Sequence, residues 1–330
     1  MERITDFFSR RLALPNFSRL RISGPGKKSV VGITIAIAVF AALYYPIGMM
    51  VIHGINDDIN YSPPAAEVPK GASFSVAAAA GLIAREVETA RWTANDPWFL
   101  PGAALDNMPN FQQGVISALA RFAFELTDQI GRTRGSSQTD TDLQEAAGLL
   151  QYSGTKWVFD FSTSLAPTAT SEAQYIKAQR SLLNFNKRLA SGEAVFDRRA
   201  DNLMATLDRM ALDLGSSSAA LDSHIATHGG SVFDFQADDL YYNVKGQLYG
   251  YTILMREIAR DFENVIAERD LVKSWALMMK SFEHAATLDP WVIVNGSPDS
   301  QFAPSHLAAQ GFYLLRARTQ LREITNILLK

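Results

Sequence analysis

The hydropathy pattern is most uneven near the N-terminus, where the 24 residues from Ser29 to Ile52 carry no charge. As a helix this run would reach about 36 Å, more than a hydrocarbon core of about 30 Å. It is apolar all round rather than along one stripe, which predicts a transmembrane helix over residues 29–52. Pro46 falls near its distal end and would loosen the last turns. Beyond residue 72 the pattern becomes helical and striped. Phe111, Val115, Leu119, Phe122, Leu126 and Ile130 recur at steps of four and three, as do Leu143, Ala146, Leu150, Gly154, Trp157 and Phe161. The longest stripe runs Tyr241, Val244, Leu248, Tyr251, Met255, Ile258, Phe262, Val265. Each is one apolar face of a packed helix, and no period-2 stretch of strand length interrupts them.

These stripes, with start signals at Asp142 and Ser171 and stop signals at Gly131, Gly192 and Gly229-Gly230, predict about seven helices. They cover residues 73–93, 108–131, 141–162, 170–191, 193–226, 235–286 (with a break near Glu268) and 304–329. The expected fold class is all-α: one N-terminal transmembrane helix, then an elongated antiparallel helical bundle. Residues 1–28 read as a basic cytoplasmic tail, 53–72 as a linker broken by Pro63-Pro64, Pro69 and Gly71, and 73–330 as one helical domain. Glycines inside the stripes, Gly114, Gly148, Gly154, Gly246, Gly250 and Gly311, cost helix stability. They mark either close helix approach or kinks.

One internal echo stands out. Asp96-Pro97-Trp98 and Asp289-Pro290-Trp291 are each followed by a Gln-Gly pair, at Gln113-Gly114 and Gln310-Gly311. A duplicated helix pair is one reading, and chance similarity over four short identities is the other. Each Asp-Pro-Trp corner is expected to staple a helix end to the core. The functional alternative makes Trp98 and Trp291 amphipathic anchors of a partner-binding lip.

Charge sets the direction of insertion. The first 28 residues hold seven basic side chains against Glu2 and Asp6, whereas Asp57 and Asp58 follow the apolar run. The positive-inside rule keeps the tail in the cytoplasm and exports the rest, across a bacterial inner membrane into the periplasm. A cleaved signal peptide is the rival reading. Its apolar core would be shorter, and HGINDDINY after the run is a poor cleavage context. Phe7, Phe8, Leu12 and Leu14 among Arg10 and Arg11 give the tail an amphipathic look, which a topology signal explains as well as lipid binding.

Composition removes several chemistries. At 47% hydrophobic and 20% charged, with a net charge of −3, the chain is not disordered. It has no cysteine, hence no disulfide and no thiolate metal site or nucleophile. The exported part, with 24 basic against 32 acidic residues, disfavours nucleic acid. His224 and His228 stand four apart, but the interval lacks the glutamate of a zinc protease, so helix-end capping or surface is the expected role. Asp140/Asp142 and Asp238/Asp239 fall at helix starts, where acid favours the dipole. The loops from Pro101 to Gln112 and from Thr133 to Asp142 read as connectors, the first the more distinctive.

Three blocks, WTANDPWFLPGAALDNMPNFQQG, ALARFAFELTDQIGRTRGSSQTDTDL and ADDLYYNVKGQLYGY, follow the anchor. Together they resemble a family of uncharacterised proteobacterial inner-membrane proteins, a domain of unknown function. The resemblance implies a bacterial envelope location and supplies no active-site residues. The expected function is therefore a non-enzymatic envelope scaffold or assembly protein. Its partners would be the bilayer and another envelope protein or a second copy, with no cofactor and no metal. The alternative is a periplasmic ligand-binding sensor or carrier, with a pocket lined by Tyr241, Tyr242, Tyr249 and Tyr251. An envelope hydrolase is a third, weaker reading.

Overall fold

The computed structural model describes residues 26–63, 68–131, 139–160, 166–230 and 234–330. The basic tail up to residue 25 and most of the Thr133–Asp142 connector lie outside the described residues. Ten α-helices and no strand occur among the described residues, so the all-α expectation holds. The chain divides after Pro46 into two compact units. The first carries most of α1 (Lys27–Ile52), whose 24-residue stretch Ser29–Ile52 is long and apolar enough to cross a membrane.

The second unit, from Ile47 onward, holds the remaining helices around one hydrophobic core. They are α2 (Phe74–Ala84), α3 (Asn107–Glu125), α4 (Thr141–Leu150), α5 (Ser171–Ser191), α6 (Ala200–His228), α7 (Phe235–Asp261), α8 (Glu263–Glu268), α9 (Val272–Ala286) and α10 (His306–Leu328). Single π-helical turns extend α2 over Arg85–Thr89 and α3 over Leu126–Ile130. Caps lie close to the expected start signals. Asp140, not Asp142, caps α4, and Thr170, not Ser171, caps α5. Ser171 is buried one residue further on, donating to the Ser153 carbonyl at 2.7 Å. Gly192 ends α5 at φ +79°, the left-handed geometry that glycine adopts without strain.

α7 is the central post. Its closest partner is α3, and these two run parallel: Asn110 bonds Asp239 at 2.7 Å, while Val115 and Ala118 face Gly250. α2 and α6 run antiparallel to α7, as Asp261 at the end of α7 receives the start of α2 and Asp213 of α6 meets Tyr251. The chain still alternates in direction from helix to helix, and the closest pairing joins two helices that point the same way. The intervening α4, α5 and α6 return the chain so that α7 starts at the same end as α3. A Cβ at Gly114 would collide with the Asn243 carbonyl oxygen, and one at Gly246 with the Phe111 carbonyl oxygen. The stripe glycines at this contact therefore serve close approach. Gly148 and Gly311 do not, for no backbone stands near them.

Asp261 shows how the core admits charge. It is buried, and accepts from Ser73 Oγ at 2.7 Å, Phe74 N at 2.9 Å, Ser75 N at 2.9 Å and Ser75 Oγ at 2.6 Å. A carboxylate from α7 thus serves the unpaired N–H groups that open α2, at the positive end of its dipole.

Three expectations need correction. The helix read over 141–162 ends at Leu150, and residues 151–160 are irregular. The helix read from 193 begins at Ala200, since Phe196 leaves the helical path to pack against Phe262. The long helix over 235–286 breaks beside Glu268 as expected, at Asp270, whose φ is +52°, but breaks also at Phe262 and so forms three helices. The two Asp-Pro-Trp segments both join helices, but their surroundings differ. α9 packs directly on α10, whereas α2 and α3 barely touch and meet through α7.

Candidate functional site

Many segments meet at one end of the second unit. The ends of α2, α6 and α9 arrive there, and α3, α7 and α10 start there. The chain also enters the unit there, directly after Pro46. A side chain at Gly48 would collide with the Pro101 ring, and Gly54 N donates to Met108 Sδ at 3.4 Å. Residues 53–63, part of the expected linker, are irregular but not loose.

Buried polar side chains on α2 and α7 strap this segment down. Lys245 is 1% exposed, and its Nζ lies 2.8 Å from Asp57 Oδ2 and 3.2 Å from Asp289 Oδ1. Tyr249 donates to the Asp58 carbonyl at 3.0 Å and accepts from Arg85 Nη1 at 2.5 Å. Arg85 in turn bonds the buried Glu86 at 2.6 Å; burial raises the Glu86 carboxyl above its ordinary pKa, with the arginine opposing. Arg256 reaches the Ile59 and Tyr61 carbonyls, and Glu257 accepts from Ser62 Oγ at 3.1 Å. Each of these groups is occupied in holding chain to chain.

A second tie closes the far side of the same end. His224 Nε2 meets Asp234 Oδ2 at 2.7 Å, and Asn295 Nδ2 reaches the same oxygen at 3.0 Å. Asp234 also caps α7, and its pKa is lowered: burial opposes, but these hydrogen bonds prevail. His228 stacks on His224 at 4.6 Å. The histidine pair thus joins the end of α6 to α7 and to the 287–305 loop, and no cluster of three metal-ligating side chains occurs among the described residues. Asp140 and Asp142 pair with Arg188. Asp238 and Asp239 crowd Asp106, and burial with these neighbours pushes Asp238 up to about 6.

The family model for uncharacterised proteins conserved in bacteria, DUF2333, matches residues 77–234 and 233–330. This chain belongs to that family. The matched residues contain all three of the blocks WTANDPWFLPGAALDNMPNFQQG, ALARFAFELTDQIGRTRGSSQTDTDL and ADDLYYNVKGQLYGY. No curated protein and no solved structure matches the chain.

The tryptophans of the two corners are not staples. Trp98 is 81% exposed and Trp291 is 102% exposed. The aspartates do the fixing: Asp96 takes Arg91 Nη2 at 2.8 and 2.9 Å, and Asp289 takes Lys245. A corner held by an ion pair leaves its tryptophan pointing outward. Other large apolar side chains join them, namely Phe99, Phe235, Val292 and Phe302, the last 97% exposed. With Phe159, which meets Phe99 through Trp157, six of the eight exposed Phe and Trp residues described outside α1 lie at this end; Phe124 and Phe312 lie on helix flanks. Phe235 and Phe302 escaped the sequence reading because neither sits on a stripe or in a repeated motif.

The tyrosine pocket is also corrected. Tyr241, Tyr242, Tyr249 and Tyr251 are buried in the core. Their hydroxyls are engaged where they reach polar partners: Tyr241 donates to the Leu288 carbonyl at 3.1 Å and Tyr251 to Asp213 at 2.6 Å. A cleft of about 410 Å³ lies elsewhere, between α3 and α4, lined by Gln113, Arg121, Tyr152 and Asp213 among others.

Proposed function

We propose that this chain is a membrane-anchored, non-enzymatic scaffold of the bacterial envelope. The apolar helix holds it in the inner membrane with the basic tail in the cytoplasm. The helical body stands in the periplasm, where it engages another envelope protein or a second copy. The uncharged run of Ser29–Ile52 and the charge asymmetry around it support the anchor and its direction. The observation that carries the scaffold reading is the strap. Lys245, Tyr249, Arg256 and Glu257 clamp residues 57–62, so the segment that follows the apolar helix is folded into the body itself. A helical body ordered from its first residues suits presentation of a helical surface.

Two measurements test this. Alkaline phosphatase fused after Lys330 should be active and a fluorescent protein there dark; the reverse pattern overturns the topology. Photo-crosslinking of the full chain in native membranes should give discrete higher-mass species. Recovery of the monomer alone, across probes on α5, α6 and α10, overturns the scaffold role.

A further inference from the structure

We infer that the end of the helical body carrying Trp98 and Trp291 is a second membrane contact, its aromatic side chains seated in the headgroup region of the leaflet from which the body emerges. The inference rests on the anchor reading above. Three observations lead to it. First, this is where the chain enters the body. Gly48 lies about 6 Å before the end of the apolar helix by helical rise, and it abuts Pro101, three residues from Trp98. Second, Asp57 is five residues past that helix, a reach of at most about 18 Å. Through Lys245 it binds Asp289, two residues before Trp291. Both corners are therefore leashed to the point where the chain leaves the bilayer.

Third, the side chains there are the right kind. Trp98, Phe99, Phe235, Trp291 and Phe302 are exposed, and indole and phenyl rings partition to the zone between water and hydrocarbon. The opposite end, where α9 begins and α10 finishes, exposes aliphatic side chains among the described residues, as at Val272 and Leu329. The same aromatic end also holds Asp57, Asp106, Asp238, Asp239 and Asp289. Acidic groups are repelled by anionic lipid, so the chemistry selects zwitterionic headgroups.

The chain has no cysteine of its own, so single-cysteine variants report single positions. Full-length protein is reconstituted into phosphatidylcholine nanodiscs with nitroxide lipids of two kinds, one labelled near the headgroup to report on the body and one at mid-chain to report on residue 39. An environment-sensitive fluorophore is placed at Val292→Cys, Gln301→Cys, Val272→Cys and Val39→Cys in turn. The expected result is strong quenching at 39, 292 and 301 and little at 272. Adding Trp291→Ala with Phe302→Ala should reduce quenching at 292 about twofold or more and leave 39 unchanged. Quenching at 39 with 292 and 301 as unquenched as 272 overturns this inference and leaves the anchor standing. No quenching at 39 overturns both. Labels at 292 and 301 that shift to the blue without lipid quenching signal a protein neighbour, and that too overturns it.

Discussion

Lys245 Nζ and Asp57 Oδ2 stand 2.8 Å apart, a buried ammonium on the central helix meeting a carboxylate five residues past the apolar run. The pair is lopsided. Lys245 is 1% exposed, whereas Asp57 and Asp289 both reach water. Removing a buried charge is cheap when its partners can turn to solvent, while removing a partner strands the charge. Lys245→Met should therefore change stability by less than about 1 kcal/mol, and Asp57→Asn should lose about 1–2 kcal/mol more. Thermal unfolding of the full chain in detergent gives the order. Both variants should speed protease cleavage within residues 53–62, because both release the strap.

The parallel contact of α3 with α7 depends on two hydrogens. Gly114→Ala and Gly246→Ala each drive a methyl into a carbonyl oxygen of the facing backbone, which cannot swing away as a side chain would. A loss of about 2–3 kcal/mol is expected for each. Gly148→Ala meets nothing within 4 Å on α4 and should gain up to about 1 kcal/mol from helix propensity. Chemical denaturation midpoints of the three variants distinguish packing glycines from an idle one.

Glu125 introduces pH dependence. Its carboxylate is buried without a hydrogen bond, and Arg121 Nη1 stands 3.7 Å away. Burial raises its pKa from the ordinary 4.5 to about 7, against the pull of Arg121. The folded state thus holds this proton more tightly than the unfolded chain does. The stabilisation is complete below about pH 4.5 and is lost as pH rises through about 7. Glu125→Gln should match the parent Tm at pH 5 and exceed it by a few degrees at pH 8. Equal Tm differences at the two pH values would contradict the assignment.

Much of the helical order was legible in the residues. The stripe from Tyr241 to Ile258 marks α7, and the Phe111–Ile130 stripe marks α3 with its π turn, because burial on one face imposes the 3.6-residue period directly. Where that period persisted outside a helix, sequence misled. Gly154 and Trp157 continue the α4 stripe, yet the Gly154 carbonyl accepts from Trp92 Nε1 at 2.8 Å and the backbone there turns to meet α5. A long-range hydrogen bond leaves no local periodicity.

The amino-acid order alone determined the apolar span, the charge asymmetry about it, the all-helical class and the want of thiol chemistry, since each follows from local composition and spacing. Tertiary structure decided the rest. Packing of α9 and of the segment before α2 on α7 brought Asp57, Lys245 and Asp289, scattered over more than two hundred positions, to one place. Ion pairs then took over the anchoring of both Asp-Pro-Trp corners and left Trp98 and Trp291 in the open. Whether a tryptophan faces core or solvent depends on which neighbour satisfies the residue beside it, and that neighbour is chosen only when distant helices meet.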